Sequence, residues 1–167
     1  LAGMALLMAE LEQSDKAVSA IEAALKSQPD NPDILAVSPE IYYLAIKQLH
    51  ADAQPFAQQM ARMEQLAEAA AKANPGIAAP HMYLSYARWY AEKDIPGAVR
   101  AMLEAKRVMP WLIETNYALG FYLSKTSHTE EAKEYLRKVA AWSHGGSTSV
   151  KAEKLLAELE AKEVASQ

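Results

Sequence analysis

The sequence predicts an all-α protein in which pairs of antiparallel helices stack into a solenoid of about nine helices. Ala is the commonest residue, at 33 positions, whereas Gly occurs 6 times; Ala is the best helix former. Small and large apolar residues also recur with an internal spacing of 4, 3 and 5 residues in three stretches: Ala17-Ile21-Ala24-Pro29, Ala98-Met102-Ala105-Pro110 and Ala132-Leu136-Val139-His144. The last two stretches lie 34 residues apart, and such a period is typical of stacked helical units.

Apolar periodicity and the positions of helix breakers together predict the elements. Helices are expected at 1–12, 16–26, 38–50, 56–74, 79–92, 94–108, 111–124, 130–142 and 150–164. Short connections make consecutive helices antiparallel neighbours. We expect one domain, 1–167, with the repeat units 1–32, 38–76, 79–112 and 113–146 and a capping helix at 150–164.

The boundaries in the first half of the chain depend on caps and prolines. Ser14-Asp15 offers a turn and an N-cap for the second helix, and the prolines in 28–32 end it, because proline cannot continue a helix. Ser38-Pro39-Glu40 has the order of N-cap, first-position Pro and first-turn acid that begins a helix. Residues 33–37 are then expected to be a flexible insertion, and 52–55 to break the chain before the fourth helix.

Similar signals divide the second half. Asn74-Pro75-Gly76 ends the fourth helix, Asp94-Ile95-Pro96 opens the sixth, and Pro110 closes it. Residues 125–129 form a short polar turn, and 144–149 form a loop with a C-cap and an N-cap in series. The final helix has charges of alternating sign, as expected of a terminal helix that faces solvent. Its inner face is expected to consist of Val150, Leu155, Leu156 and Leu159.

On these residues the chain resembles the tetratricopeptide repeat (TPR) family. The three spaced stretches match the second helices of that repeat, and Leu119-Gly120 is its typical Leu-Gly pair. The unit at 38–76 departs from the pattern, and Ala57 and Ala61 are expected to substitute for its small residues. The resemblance implies a superhelix whose first helices line a concave surface; another antiparallel helical array is the alternative.

The resemblance also implies which side chains lie near the concave groove. They are Tyr42, Tyr83, Tyr90, Tyr117 and Phe121. Tyrosine combines apolar area with a hydroxyl, which suits an extended peptide or a partner helix. The alternative is that these rings pack between repeats or under the last helix. Arg88 and Lys125 are expected to be isolated cations, so the family's mode of holding a terminal carboxylate is not expected here.

Composition excludes several other functions. With 17 Lys and Arg against 21 Asp and Glu, the net charge of −4 argues against nucleic-acid binding. The absence of Cys excludes thiolate catalysis and disulfides. No apolar stretch approaches the ~20 residues that span a membrane. The four histidines and the acids Glu64, Glu68, Glu130 and Glu131 form no metal-binding motif or acid–base pair, so we expect no catalytic residue, metal or cofactor.

The sequence therefore predicts a non-enzymatic scaffold that binds a peptide or protein, and its Ala and Gln content suggests a bacterial origin. The alternative is a helical accessory or oligomerisation domain of a larger, possibly enzymatic, protein. The chain does not begin with Met, which suggests an excised fragment or a processed protein. Self-association through exposed repeat ends would make it a homo-oligomer. The compartment, cytoplasmic or periplasmic, stays open.

Overall fold

The computed structural model describes residues 2–11, 13–49, 54–91, 94–142 and 146–165. Within these ranges the chain forms nine α-helices and no strand: α1 (Ala2–Glu10), α2 (Ser14–Ser27), α3 (Pro32–Ile46), α4 (Gln54–Ala73), α5 (Ala78–Ala91), α6 (Ile95–Val108), α7 (Ile113–Leu123), α8 (Thr129–Trp142) and α9 (Ser147–Ala165). The odd-numbered helices α1 to α7 are called first helices, and α2 to α8 second helices. The all-α prediction is confirmed for the described ranges.

The chain divides into two compact units, Leu1–Ala101 and Met102–Gln167, and α6 begins in one and ends in the other. In the first unit each of α1 to α4 packs against the helix that follows it, and the first helices also pack on one another, α1 on α3 and α3 on α5. In the second unit α8 packs against α7 and α9. These are the neighbours that stacked helix pairs require.

The recurring spacing marks core positions of the second helices. All nine apolar or small residues of the three stretches are at most 1% exposed: Ala17, Ile21, Ala24, Ala98, Met102, Ala105, Ala132, Leu136 and Val139. Small residues let two helices approach, and the larger ones fill the space between them. A fully buried Ile or Leu side chain contributes about 1.5–3 kcal/mol. The prediction from this spacing is confirmed.

Helix α4 has buried residues at the same spacing as the other second helices, but its large and small residues come in a different order. Met63, Ala67 and Ala70 are buried, and Pro75 follows at the interval that Pro110 has in the sixth helix. The expectation that Ala57 and Ala61 substitute in this unit is wrong, because both face solvent. The large residue comes first here and the small residue second, which hid the repeat from a search for Ala–large–Ala.

Helix α3 begins at Pro32, so the predicted start at Ser38 is wrong. The side chain of Asn31 accepts hydrogen bonds from the backbone N–H groups of residues 33 and 34, at 3.0 and 3.3 Å, and Pro32 occupies the first turn. Pro39 lies inside the helix, and the buried Ser38 hydroxyl donates to the Ile34 carbonyl at 2.6 Å. Residues 33–37 therefore belong to the helix and are not an insertion.

Close helix contact in the second unit depends on Gly120 of α7. A Cβ at this position would lie 2.7 Å from Cγ of Leu136 and 3.2 Å from the carbonyl oxygen of Ala132. Only a residue without a side chain allows this approach.

Helix α7 starts at Ile113 rather than at the predicted position 111, since Trp111 lies in the preceding turn and is exposed.

Helix α9 packs on α7 and α8 through a face that matches most of the predicted one, because Leu159 is buried and Leu155 and Leu156 are half-buried. Ser149, Ala152 and Leu159 are buried, whereas Val150 is 55% exposed, so its place in the predicted inner face is wrong. Ion pairs add to this contact: the buried Lys133 of α8 bonds Glu163 of α9, and Arg137 of α8 and Glu160 of α9 are 3.4 Å apart.

Candidate functional site

Three tyrosines of the first helices form one aromatic cluster in the first unit. The ring centroid of Tyr43 on α3 lies 5.3 Å from that of Tyr83 and 5.6 Å from that of Tyr86, both on α5. The Tyr83 and Tyr86 centroids are 6.2 Å apart in an edge-to-face arrangement. All three side chains are half-buried. Tyr90 follows one turn later on α5 and is 53% exposed. We call Tyr43, Tyr83 and Tyr86 the tyrosine cluster.

The tyrosine cluster lies beside charged groups of both signs. Burial, and secondly the Glu40 carboxylate, raise the pKa of Tyr83. The Lys47 ammonium lies 5.7 Å from the centroid of the Tyr43 ring, within cation–π range. The cluster thus combines apolar area, hydroxyls and a negative group in one place.

Tyr42, predicted to lie near the groove, occupies a different environment from its neighbour Tyr43. It is 5% exposed, and its hydroxyl donates to Oε1 of Glu22 at 2.8 Å. Burial and then the Glu22 carboxylate raise the pKa of Tyr42 to about 12. Arg62 of α4 donates to both oxygens of Glu22, at 2.8 and 3.0 Å. Tyr42 is therefore part of a polar network that joins α2, α3 and α4.

Two surface depressions adjoin the Glu22–Arg62 pair. One, of about 600 Å³, has the apolar residues Leu25, Leu35 and Leu66 among its lining. The other, of about 520 Å³, is lined mainly by polar side chains, including Gln59. The Oε1 atom of Gln59 is buried and has no hydrogen-bond partner within the described part of the chain.

The second unit has its own half-buried aromatic pair on α7. The rings of Tyr117 and Phe121 are nearly parallel, at 21°, with centroids 6.5 Å apart. Lys125 lies 5.1 Å from the Phe121 ring centroid, and Tyr122 packs edge-to-face on the same ring. Burial raises the pKa of Tyr117. Both predicted residues of this helix are half-buried and in contact.

Arg88, predicted to be isolated, is paired. Its Nε and Nη2 atoms donate to Glu64 at 3.2 Å and to Glu68 at 2.6 Å. These two acids of α4 thus join it to α5 through Arg88. Glu130 bonds Lys133, and Glu131 is exposed.

Each of the two histidines that the structure describes contacts a residue close to it in the chain. His81 is buried with Nε2 3.4 Å from the Pro75 carbonyl, and Nδ1 of His128 is 3.0 Å from the Thr126 hydroxyl. His50 and His144 lie outside the described residues, as does Gly145 of the predicted loop. Across the described ranges, no three His, Cys, Asp or Glu side chains are grouped as metal ligands. In the same ranges, no helix has the length and apolar character that crossing a membrane requires.

Sequence reasoning missed Tyr43 and Tyr86 as members of this surface. A signal for Tyr86 was present, because positions 83, 86 and 90 repeat at 3 and 4 residues and so share one helix face. No comparable pattern singled out Tyr43 from Tyr42.

The described helices form pairs with small residues at a repeated spacing, and the first helices carry aromatic rings. These features define the class of protein as a helical-repeat array of TPR type. TTC0263, a thermophilic TPR protein of Thermus thermophilus, matches with a TM-score of 0.72 at 16% identity, over 91% of this chain and 77% of that chain. A crystal structure of MamA matches with a TM-score of 0.69 at 16% identity, over 95% of each chain. A double mutant of MamA RS-1 has a TM-score of 0.69 at 20% identity, over 84% of this chain and 71% of its own.

These structural matches confirm the TPR-like solenoid fold that the sequence predicts. No family model matches the sequence, and no curated protein matches it. The likeness is therefore one of fold, and function has to be argued from the surface of this chain.

Proposed function

We propose that the chain is a non-enzymatic scaffold that binds a peptide or protein segment on the aromatic faces of its first helices. The observation that carries this proposal is the half-exposed tyrosine cluster, which continues along α5 to the exposed Tyr90. Tyrosine is favoured in binding surfaces because one end of its ring is apolar and the other can hydrogen-bond. Stacked repeats generate extended surfaces that such segments follow.

The proposed contact residues are Tyr43, Tyr83, Tyr86 and Tyr90 of the first unit, with Tyr117 and Phe121 as a second patch on α7. Tyr42 has a positioning role instead, because its hydroxyl is engaged by Glu22 and its ring is buried. Each unit would present its own part of the binding surface.

The test uses peptides selected from a random display library by the intact chain. The affinities of the enriched peptides are then measured by calorimetry for the double variant Tyr90→Ala with Tyr117→Ala. Each truncation of a contact aromatic costs more than about 1 kcal/mol at a binding hot spot, so affinity should fall about 10-fold or more. Trp142→Ala is the matched control, because Trp142 is an aromatic residue of a second helix and is 67% exposed.

Far-UV circular dichroism establishes that the variants keep their helicity. Unchanged affinity in a helical double variant would exclude Tyr90 and Tyr117 as contact residues. An equal loss in the Trp142→Ala control would show that binding depends on exposed aromatic residues anywhere on the chain. Failure to enrich any peptide would count against the proposal itself.

A second candidate function is that of an accessory or oligomerisation domain. Met4 and Leu7 of α1 and Leu11 in the turn directly after it are more than half exposed, and their spacing of 3 and 4 residues is that of one helix face. Exposed apolar patches of this kind mark contact surfaces. Sedimentation velocity at several concentrations tests self-association. A single 18.3 kDa species throughout rejects it, and Leu7→Lys should dissociate any oligomer that forms through this face.

A further inference from the structure

The tyrosine cluster has the chemistry of a surface that attracts cations. Aromatic rings carry negative charge on their faces, and an ammonium or guanidinium group within about 6 Å of a ring centroid is attracted to them. Tyr43, Tyr83 and Tyr86 bring three such rings within 6.2 Å of one another. Their half-buried state limits competition from water, which strengthens the attraction.

The chain already holds one of its own cations at this place. The Lys47 ammonium lies 5.7 Å from the Tyr43 centroid, and Lys47 is the residue directly after α3. Glu40, one helical turn before Tyr43, adds a carboxylate that interacts with Tyr83. A cation bound here would therefore contact the faces of aromatic rings and also lie near the negative side chain of Glu40.

The distribution of charge between the two units favours the same kind of ligand. The first unit contains 8 Lys and Arg against 12 Asp and Glu, whereas the second contains 9 of each. The whole net charge of −4 thus lies on the unit that carries the tyrosine cluster. A field of one sign raises the local concentration of ligands of the opposite sign.

We propose that the tyrosine cluster binds a basic side chain, Lys or Arg, of the partner segment. This proposal rests on the proposed function, and it specifies that one residue of the bound segment carries a positive charge. The basic group takes its place over the exposed faces of the cluster near Glu40, and it displaces the ammonium of Lys47. The partner is accordingly a segment with at least one positive residue rather than an acidic tail.

The experiment begins with the peptides that the intact chain enriches from the display library. We expect Lys or Arg at one fixed position of those peptides. Synthetic versions with norleucine at that position keep the aliphatic chain and lose the charge. Fluorescence anisotropy should show an affinity about 2- to 5-fold lower for the norleucine peptide, as expected of a cation–π contact at a partly exposed site.

Variants of the chain locate the effect. In Tyr86→Leu the difference between the basic and norleucine peptides should become smaller, because one of the three rings that meet the cation is removed. In Phe121→Leu, the matched aromatic change in the second unit, the difference should persist. Lys47→Met should raise the affinity for the basic peptide about 2-fold or more, since it removes a competing cation and leaves all three rings in place. That variant and the peptide substitution keep the test valid even where Tyr86→Leu is poorly folded.

The possible results separate this inference from the proposed function. Peptides that bind through the first-helix tyrosines without a basic residue, or with Glu at the fixed position, overturn the inference and leave the proposed function standing. The inference is also overturned if the norleucine substitution lowers the affinity equally for Tyr86→Leu and for the unmodified chain. Failure to enrich any peptide overturns both.

Discussion

Replacing Gly120 by Ala tests whether close helix approach limits the stability of the second unit. The added Cβ would lie 2.7 Å from Cγ and 2.9 Å from Cδ2 of Leu136, and 3.2 Å from the Ala132 carbonyl oxygen. Leu136 and Ala132 are fully buried, so neither has free space to move into. The substitution therefore forces the α7 and α8 backbones or the Leu136 rotamer to shift.

The magnitude follows from two opposing effects. Over-packing a well-filled core costs about 1–3 kcal/mol, whereas Ala in place of Gly in a helix stabilises by about 0.5–1 kcal/mol. The steric cost less the helix-propensity gain predicts that Gly120→Ala lowers the free energy of unfolding by about 1 kcal/mol, and by no more than about 2.5 kcal/mol. Gly3→Ala on α1 is the matched control, because a Cβ there meets no atom within 4 Å. It should be neutral or stabilising.

Urea denaturation followed by far-UV circular dichroism measures both variants. The helix-propensity gain favours both, so the difference between them reports mainly the steric cost of about 1–3 kcal/mol. A Gly120→Ala variant as stable as Gly3→Ala, with an unchanged dependence on urea, would refute the packing argument.

A double variant identifies the atoms responsible. Leu136→Ala alone should cost about 2–5 kcal/mol, because it leaves a cavity. In that background the Cβ of residue 120 has room, so Gly120→Ala should become neutral or stabilising. A cost that is the same in both backgrounds would exclude the contact with Leu136 as the cause.

Two further changes test the polar network and the start of α3. The hydrogen bonds from Arg62 lower the pKa of Glu22 in the folded protein, against the opposing effect of burial. The ionised Glu22 therefore stabilises the fold fully above pH 4.5, the ordinary pKa of the group, and this contribution is lost as the pH falls through the lower pKa of the folded state. Glu22→Gln should thus reduce stability at neutral pH by about 1 kcal/mol or less. The melting temperature of this variant should also fall less steeply with decreasing pH than that of the unmodified chain, and an equally steep fall in both would contradict this. Asn31→Ala should cost about 1 kcal/mol in urea denaturation, and a larger loss in Ser38→Ala would favour the later helix start.

The core of the second helices could be predicted from the sequence because burial restricts residue size at fixed intervals. Ala98, Met102 and Ala105 show that restriction in the order small, large, small. Met63 and Ala67 of α4 show it in reverse. Packing limits the total volume between two helices rather than the order of the residues that supply it. A pattern search for one order therefore misses the other, although both fill the same kind of layer.

The start of α3 could not be predicted locally, because two equivalent signals compete. Asn31-Pro32 and Ser38-Pro39 each offer an N-cap followed by a first-position proline. A proline inside a helix costs about 3 kcal/mol, which favours the later start. The earlier start buries Ile34 and Leu35, each worth about 1.5–3 kcal/mol. Tertiary burial thus offsets the local penalty, and no local signal reports it.

The same dependence on tertiary structure decides which tyrosine of α3 belongs to the candidate site. Successive helix residues point about 100° apart, so Tyr42 and Tyr43 cannot both face the α5 rings. Glu22 of α2, itself bonded by Arg62 of α4, accepts a hydrogen bond from the Tyr42 hydroxyl on one side of α3, and this fixes the rotation of the helix. Tyr43 then meets the rings of α5. The binding surface proposed for the first unit therefore depends on a polar network that lies on another face of the same helix, and the sequence of α3 alone does not contain that information.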